Sequence, residues 1–462
     1  MKFKPLFLTL MLFLIAGSLF SQSLGKDAQG IQKNGRLKVS ENGHFLQYED
    51  GTPFFWLGDT AWELFHRLKK EEIDFYLQNR RKKGFNVIQA VVLAEMDGLQ
   101  RPNKYGDVPF DALDPEKPKE SYFQLVDWTI KQALKKNMFI GLLPTWGDKV
   151  SKFWGVGPVV FNEKNAYNYG LFLGKRYKDY PNIVWITGGD RPAVVDTADW
   201  RPVWRAMIKG IKKGTNGKAL VTYHPWGEHS STDFWKDERL IDFNMIQSGH
   251  AKKDLPVWNW ILKDFNRIPA KPVLDAEPSY EDHPVNWKLE NGYFRADDIR
   301  KQLYRSVFAG AFGVTYGHHS VWQFYNSSEE KIAFADRYWT EALDRPGAAQ
   351  AGYLKKLMLS RPSLNRVADQ TLITAGQGDG AAYISAFRDG NLNYAMIYLP
   401  IGKEIGVNLT WMKTNQVDIS WFNPRTGALK KTGLKKITEN MLFRPPVTGA
   451  GNDWVLILDK AI

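Results

Sequence analysis

The chain has 462 residues, 44% of them hydrophobic, with 62 Lys and Arg against 50 Asp and Glu for a formal net charge of +12. Such a chain buries a large core and has room for two domains, which excludes a disordered protein. It contains no cysteine, which excludes disulfides and thiol nucleophiles. The basic residues are scattered, not gathered into a stripe, which argues against nucleic acid and leaves an acidic polysaccharide as the charged partner that fits. The 18 Trp, 19 Tyr and 27 Phe either fill a core or stack on sugar faces.

Residues 1–22 read as a secretory signal peptide, with Lys2 and Lys4, an apolar run from Leu6 to Ala16, and small polar residues after it. The mature protein is then expected in the periplasm, or on the cell surface. No later apolar run has the length a membrane-spanning helix requires, so a membrane is not an expected partner. Residues 37–39 and 45–48 predict a hairpin joined through Glu41-Asn42-Gly43. From Pro53 onward, apolar runs alternate with helical spacing. Runs at 53–57, 86–93, 139–143, 183–186, 220–223, 243–246, 272–274 and 314–316 read as buried strands. Between them, Ile73, Tyr76 and Leu77 mark a helix ending at Gly84, and Ser121 with Gln124 predicts a capping box after a polar loop at 96–120. Residues 166–177, a stripe from Trp200 to Ile211, 257–265 and 299–308 supply further helices.

Eight apolar strands with helical crossovers predict an α/β fold, a closed (β/α)8 TIM barrel over residues 30–361 that includes the N-terminal hairpin. The residues after the strands are Asp59, Glu95, Asp148, Asp190, His224, His250, Glu277 and His318, all ionisable. Active sites of such barrels sit at the C-terminal rim, so this pattern predicts a site built there. From 362 to 462 the helical spacing stops. Alternating runs at 382–387, 394–399, 407–409, 417–422 and 453–458 predict a C-terminal antiparallel β-sandwich.

Asp190 and Glu277 each end a buried run and are followed by a chain breaker, and two acids on strand ends are what a glycosidase requires. The chain has no Gly-x-Ser-x-Gly elbow, Walker loop, dinucleotide-binding glycine motif, His-Glu-x-x-His or EF-hand loop. His224, His250, His318 and His319 could ligate a metal, or could contact sugar hydroxyls; neither a metal nor another cofactor is expected.

The stretches Phe55-Trp56-Leu57-Gly58-Asp59-Thr60-Ala61-Trp62-Glu63-Leu64, Val184-Trp185-Ile186-Thr187-Gly188-Gly189-Asp190-Arg191-Pro192 and residues 271–281 together resemble glycoside hydrolase family 140. Trp421-Phe422-Asn423-Pro424-Arg425-Thr426-Gly427 resembles the collagen-binding-type β-domain that accompanies such barrels. The resemblance implies an endo-apiosidase that cuts apiose-linked side chains from the pectin rhamnogalacturonan II. It also implies a retaining mechanism, with Asp190 as acid/base and Glu277 as nucleophile. Many related barrels carry Asn-Glu after the fourth strand where this chain has Gly189-Asp190, a departure that family 140 shares. Asp59, His224, His250 and His318 are expected to contact substrate hydroxyls, and Trp146, Trp226 and Trp322 to stack on sugar. The alternatives are a retaining arabinofuranosidase or endo-glycanase, and a non-catalytic glycan-binding protein.

Overall fold

The computed structural model describes residues 30–235 and 239–461, so the expected signal peptide lies outside the described residues. Eight parallel strands form the barrel: Trp56–Thr60, Val87–Val91, Phe139–Leu143, Ile183–Gly188, Val221–His224, Asn244–Gln247, Val273–Asp275 and Gly313–Tyr316. The eighth pairs with the first, and neighbours pair in parallel around the ring up to the fifth and sixth. There the gap is closed by Asp242 N–H to the Val221 carbonyl at 2.8 Å and by Thr222 Oγ1 to the Phe243 carbonyl at 2.7 Å. Every residue of these strands is buried, because side chains point either into the barrel or under the helices. That explains why the strands read as continuous apolar runs.

The first run divides differently from the expected 53–57. Pro53–Phe54 pairs antiparallel with Leu46–Tyr48, so the N-terminal hairpin becomes a three-stranded sheet. Pro53 lacks a backbone donor and is suited to that edge position. The barrel strand starts at Trp56 and runs on through Asp59, which is therefore inside a strand.

Helices cover the outside of the barrel. The expected capping box is not formed: the helix is Glu120–Lys135, Lys119 stands at its N-cap with no side-chain bond, and Ser121 lies within the first turn. Helices Glu163–Tyr177 and Arg201–Gly214 approach so closely that a Cβ on Gly170 would lie 2.3 Å from the Met207 carbonyl oxygen. Only glycine permits that contact.

The C-terminal part is a sandwich of a six-stranded and a three-stranded antiparallel sheet. Beyond the expected strands it contains Arg366–Ala368, Ile373–Ala375, Leu429–Lys436 and Asn440–Phe443. Barrel helix Ala296–Phe308 lies against the six-stranded sheet. Tyr304 stacks on Tyr398 with ring centres 4.7 Å apart, and Phe308 meets Phe387 edge-on at 4.8 Å. Trp258 stacks on Tyr383 at 3.8 Å. Arg300 grips Asp453 through two bonds of 2.8 and 2.9 Å, both partners buried. One hydrophobic cluster runs from the barrel helices into Phe387, Met396, Tyr398 and Ile457 of the sheet. The two parts thus share a core.

Candidate active site

The fourth strand ends in Gly188 at φ +88°, followed by Gly189 at φ +123° and Asp190 at φ +48°. A Cβ on Gly188 would lie 2.3 Å from the His224 carbonyl oxygen, so the turn requires glycine. This turn sends Asp190 over the mouth of the barrel. Its Oδ1 accepts a bond of 3.0 Å from the Gln247 amide, at the end of the sixth strand. Its Oδ2 accepts one of 3.1 Å from Arg191 Nη1.

Glu277 stands two residues beyond the seventh strand, its backbone fixed by Gly249 N–H donating to its carbonyl at 3.0 Å. Oε1 accepts from Tyr280 Oη at 2.6 Å and lies 3.4 Å from His250 Nε2. Trp62 Nε1 donates to that same tyrosine oxygen at 2.9 Å. Oε2 lies 3.0 Å from His224 Nε2, whose ring continues to the Pro225 carbonyl through Nδ1 at 2.8 Å. One tyrosine hydroxyl and two imidazole rings therefore surround this carboxyl.

The two acids are held in opposite conditions. Burial alone would raise Glu277, but the imidazoles of His224 and His250 outweigh it and hold the carboxyl down at about 2. Burial, together with the charge of Glu277, pushes Asp190 above the ordinary carboxylate range, against the pull of Arg191, His224 and the Gln247 amide. Both line one cavity of about 790 Å³ at the C-terminal end of the barrel. Glu95 and Glu228 line it as well, and among the described residues no lysine or arginine does. Six tryptophans, Trp62, Trp146, Trp154, Trp226, Trp287 and Trp322, give it flat apolar walls of the kind that stack on sugar rings.

Of the residues expected to bind substrate, Trp146, Trp226, Trp322 and His250 line this cavity. His224 is fully buried beneath it and meets Glu277, so its contact is with a carboxyl and not with the open cavity. Asp59 and His318 require correction. Asp59 points away from the cavity into the helix layer, where its Oδ2 accepts from Tyr76 and from Arg80, each at 2.5 Å. His318 is fully buried, caps the short helix His319–Trp322 by accepting from Ser320 N–H at 3.0 Å, and lies 3.3 Å from Asp282. His319 is bonded to the Ala333 carbonyl at 2.7 Å. Among the described residues, no three His, Asp or Glu groups converge in a metal-holding arrangement. Sequence reasoning missed Tyr280, Gln247, Trp62, Trp154 and Trp287, and left Glu95 as a strand end. Tyr280 follows Glu277 by three residues, and Trp62 lies within the first motif stretch, so spacing alone could have flagged both.

Residues 40–365 match the family model described as "Apiosidase-like, catalytic domain". The chain belongs to the apiosidase-like family. Residues 367–459 match a second model, "Putative collagen-binding domain of a collagenase". Two solved structures resemble this apiosidase-like chain over nearly its whole length. One, a glycoside hydrolase family 5 protein from Bacteroides vulgatus ATCC 8482, is 33% identical with a TM-score of 0.85 and covers 93% of this chain and 94% of its own. The other, described as a glycoside hydrolase, is 32% identical, also at 0.85, and covers 93% and 97%. A family 5 mannosidase from Rhizomucor miehei, at 13% identity and a TM-score of 0.51, covers 71% of this chain and 98% of its own and shares the fold alone. No curated protein matches the chain. The apiosidase-like barrel is that of a glycoside hydrolase.

Proposed function

We propose that this glycoside hydrolase is a retaining endo-apiosidase of family 140 that cuts apiose-linked side chains from rhamnogalacturonan II. Glu277 is its nucleophile and Asp190 its acid/base. The observation that carries the reading is the pair of carboxyls on one cavity held in opposite conditions, one pushed down by imidazoles and the other pushed up by burial and its neighbour's charge. That is the division of labour in double displacement.

Glu277 attacks the anomeric carbon, forming a carbon–oxygen bond as the glycosidic bond breaks. Asp190 passes its proton to the departing oxygen. Water then attacks the same carbon, Asp190 takes the water's proton, and the sugar leaves Glu277 with its original configuration. Tyr280, His224 and His250 hold the Glu277 oxygens while they gain and lose covalent character. The apiosidase-like family match and the resemblance of residues 271–281 to family 140 support the substrate. The apolar N-terminal segment supports export, and we place the enzyme in the periplasm.

The test is incubation with rhamnogalacturonan II, followed by identification of the released oligosaccharide and of its first-formed anomer by NMR. The expected product carries apiose at its new reducing end with retained configuration. Release of a different reducing-end sugar, such as arabinose, rejects the specificity, and inversion rejects the mechanism. Binding without cleavage across a glycan panel rejects both.

A further inference from the structure

Glu95 lies beyond the second strand, lines the cavity beside Asp190, and takes no part in the reaction above. Its Oε1 meets the Arg191 guanidinium at Nη2. The other terminal nitrogen, Nη1, donates to Asp190 Oδ2 at 3.1 Å and to the Asp190 carbonyl at 2.7 Å. The Arg191 side chain is 1% exposed, and its guanidinium lies 4.3 Å from the centre of the Trp154 ring. One buried cation is thus shared between two carboxyls with little solvent to screen it.

We propose that Glu95 is a positioning residue for Asp190: it engages half of the Arg191 charge, so that the cation steadies the Asp190 side chain without stripping its proton before catalysis. A general acid must keep its proton until the leaving oxygen takes it. An unshared guanidinium 3.1 Å away favours the carboxylate form. Ionised Glu95 opposes that twice, by offsetting Arg191 and by adding a negative charge beside Asp190.

The other charged neighbours of this pair are few. Glu277 faces Asp190 and raises it, while His224 lowers it. On the far side stands Asp148, paired with Lys149 at 2.8 Å, and Lys149 Nζ donates to the Glu95 carbonyl at 3.2 Å. Burial, joined by the charges of Asp190 and Asp148, pushes Glu95 up to about 7 against the pull of Arg191. Glu95 therefore becomes ionised as the pH rises through neutrality, where a general acid is most at risk of losing its proton.

The inference rests on the role proposed for Asp190. It is tested on the full chain by two readouts: the pH profile of kcat on rhamnogalacturonan II, and NMR titration of 13C-labelled Asp carboxyls with Asp190 assigned through Asp190→Asn. Glu95→Gln is expected to lower both the alkaline limb and the Asp190 midpoint by about one pH unit, so that turnover above neutrality falls roughly tenfold while turnover in mild acid changes little. Arg191→Gln, which removes the cation, is expected to move the midpoint upward. An unmoved Asp190 titration in Glu95→Gln, with activity lost equally at every pH, overturns the proposal and leaves Glu95 a structural residue. Should Glu95→Gln fail to fold, a midpoint that stays put or falls in Arg191→Gln overturns it. Full turnover in Asp190→Asn sinks the underlying reading and this proposal with it. A shifted titration in a protein that leaves rhamnogalacturonan II intact upholds the coupling and rejects only the substrate.

Discussion

At the scale of single residues, the chemistry depends on keeping two acids in different protonation states within one hollow. Asp190→Asn is expected to lower kcat about 10²- to 10⁴-fold, and Glu277→Gln to remove turnover to background, with both variants keeping the native circular dichroism spectrum. Near-native turnover in either variant rejects its role. Glu277 sits far below its ordinary range, so the acid limb of kcat/KM is expected below about pH 4, measured on the wild-type enzyme over a pH series. The same depression has a sign for stability. The contribution of ionised Glu277 is complete above its unfolded value and is lost as the pH falls towards about 2. Residues of this kind were legible where they closely follow a buried run, as Asp190 and Glu277 do. Gln247 was not, because what makes it matter is a bond to a carboxyl brought from elsewhere in the chain.

At the scale of elements, a difference of a few residues in a strand boundary decided what Asp59 does. The run from Pro53 read as one strand ending before Gly58, which would have set Asp59 on the rim. Because Pro53–Phe54 joins the N-terminal sheet, the barrel strand shifts onward and Asp59 faces helix Lys70–Lys82 instead. Its carboxylate there neutralises the buried Arg80. Asp59→Ala is expected to strand that guanidinium and cost about 3 to 5 kcal/mol in denaturant unfolding. KM of the folded fraction should not change, and a large change would restore the substrate-contact reading. The alternation of strands and helices was legible because buried parallel strands have to be apolar on both faces. Strand Leu429–Lys436 escaped notice for the opposite reason. It is almost wholly exposed and carries four lysines, so no apolar alternation marks it.

At the scale of the whole molecule, the β-sandwich is joined to the barrel through core, and not through a linker. Calorimetry is expected to give a single cooperative transition, since separating the two parts would bare Tyr304, Phe308 and Trp258 together. A chain ending at residue 361 is expected to aggregate, and a soluble, active barrel would refute that coupling. Arg300→Ala, which leaves Asp453 buried without its partner, should lower the one transition by several degrees without splitting it. The join itself could not be read from periodicity, because its contacts are between aromatic residues far apart in the chain.

Charge is distributed unevenly over this molecule. The chain as a whole has a surplus of cations, yet its hollow is ringed by Glu95, Asp190, Glu228 and Glu277. A polyuronate strand drawn to the exterior would meet acidic side chains at the hollow. Oligogalacturonides should accordingly slow the enzyme by occupying its outer surface, and added salt should relieve that inhibition without altering the rate on a small neutral glycoside.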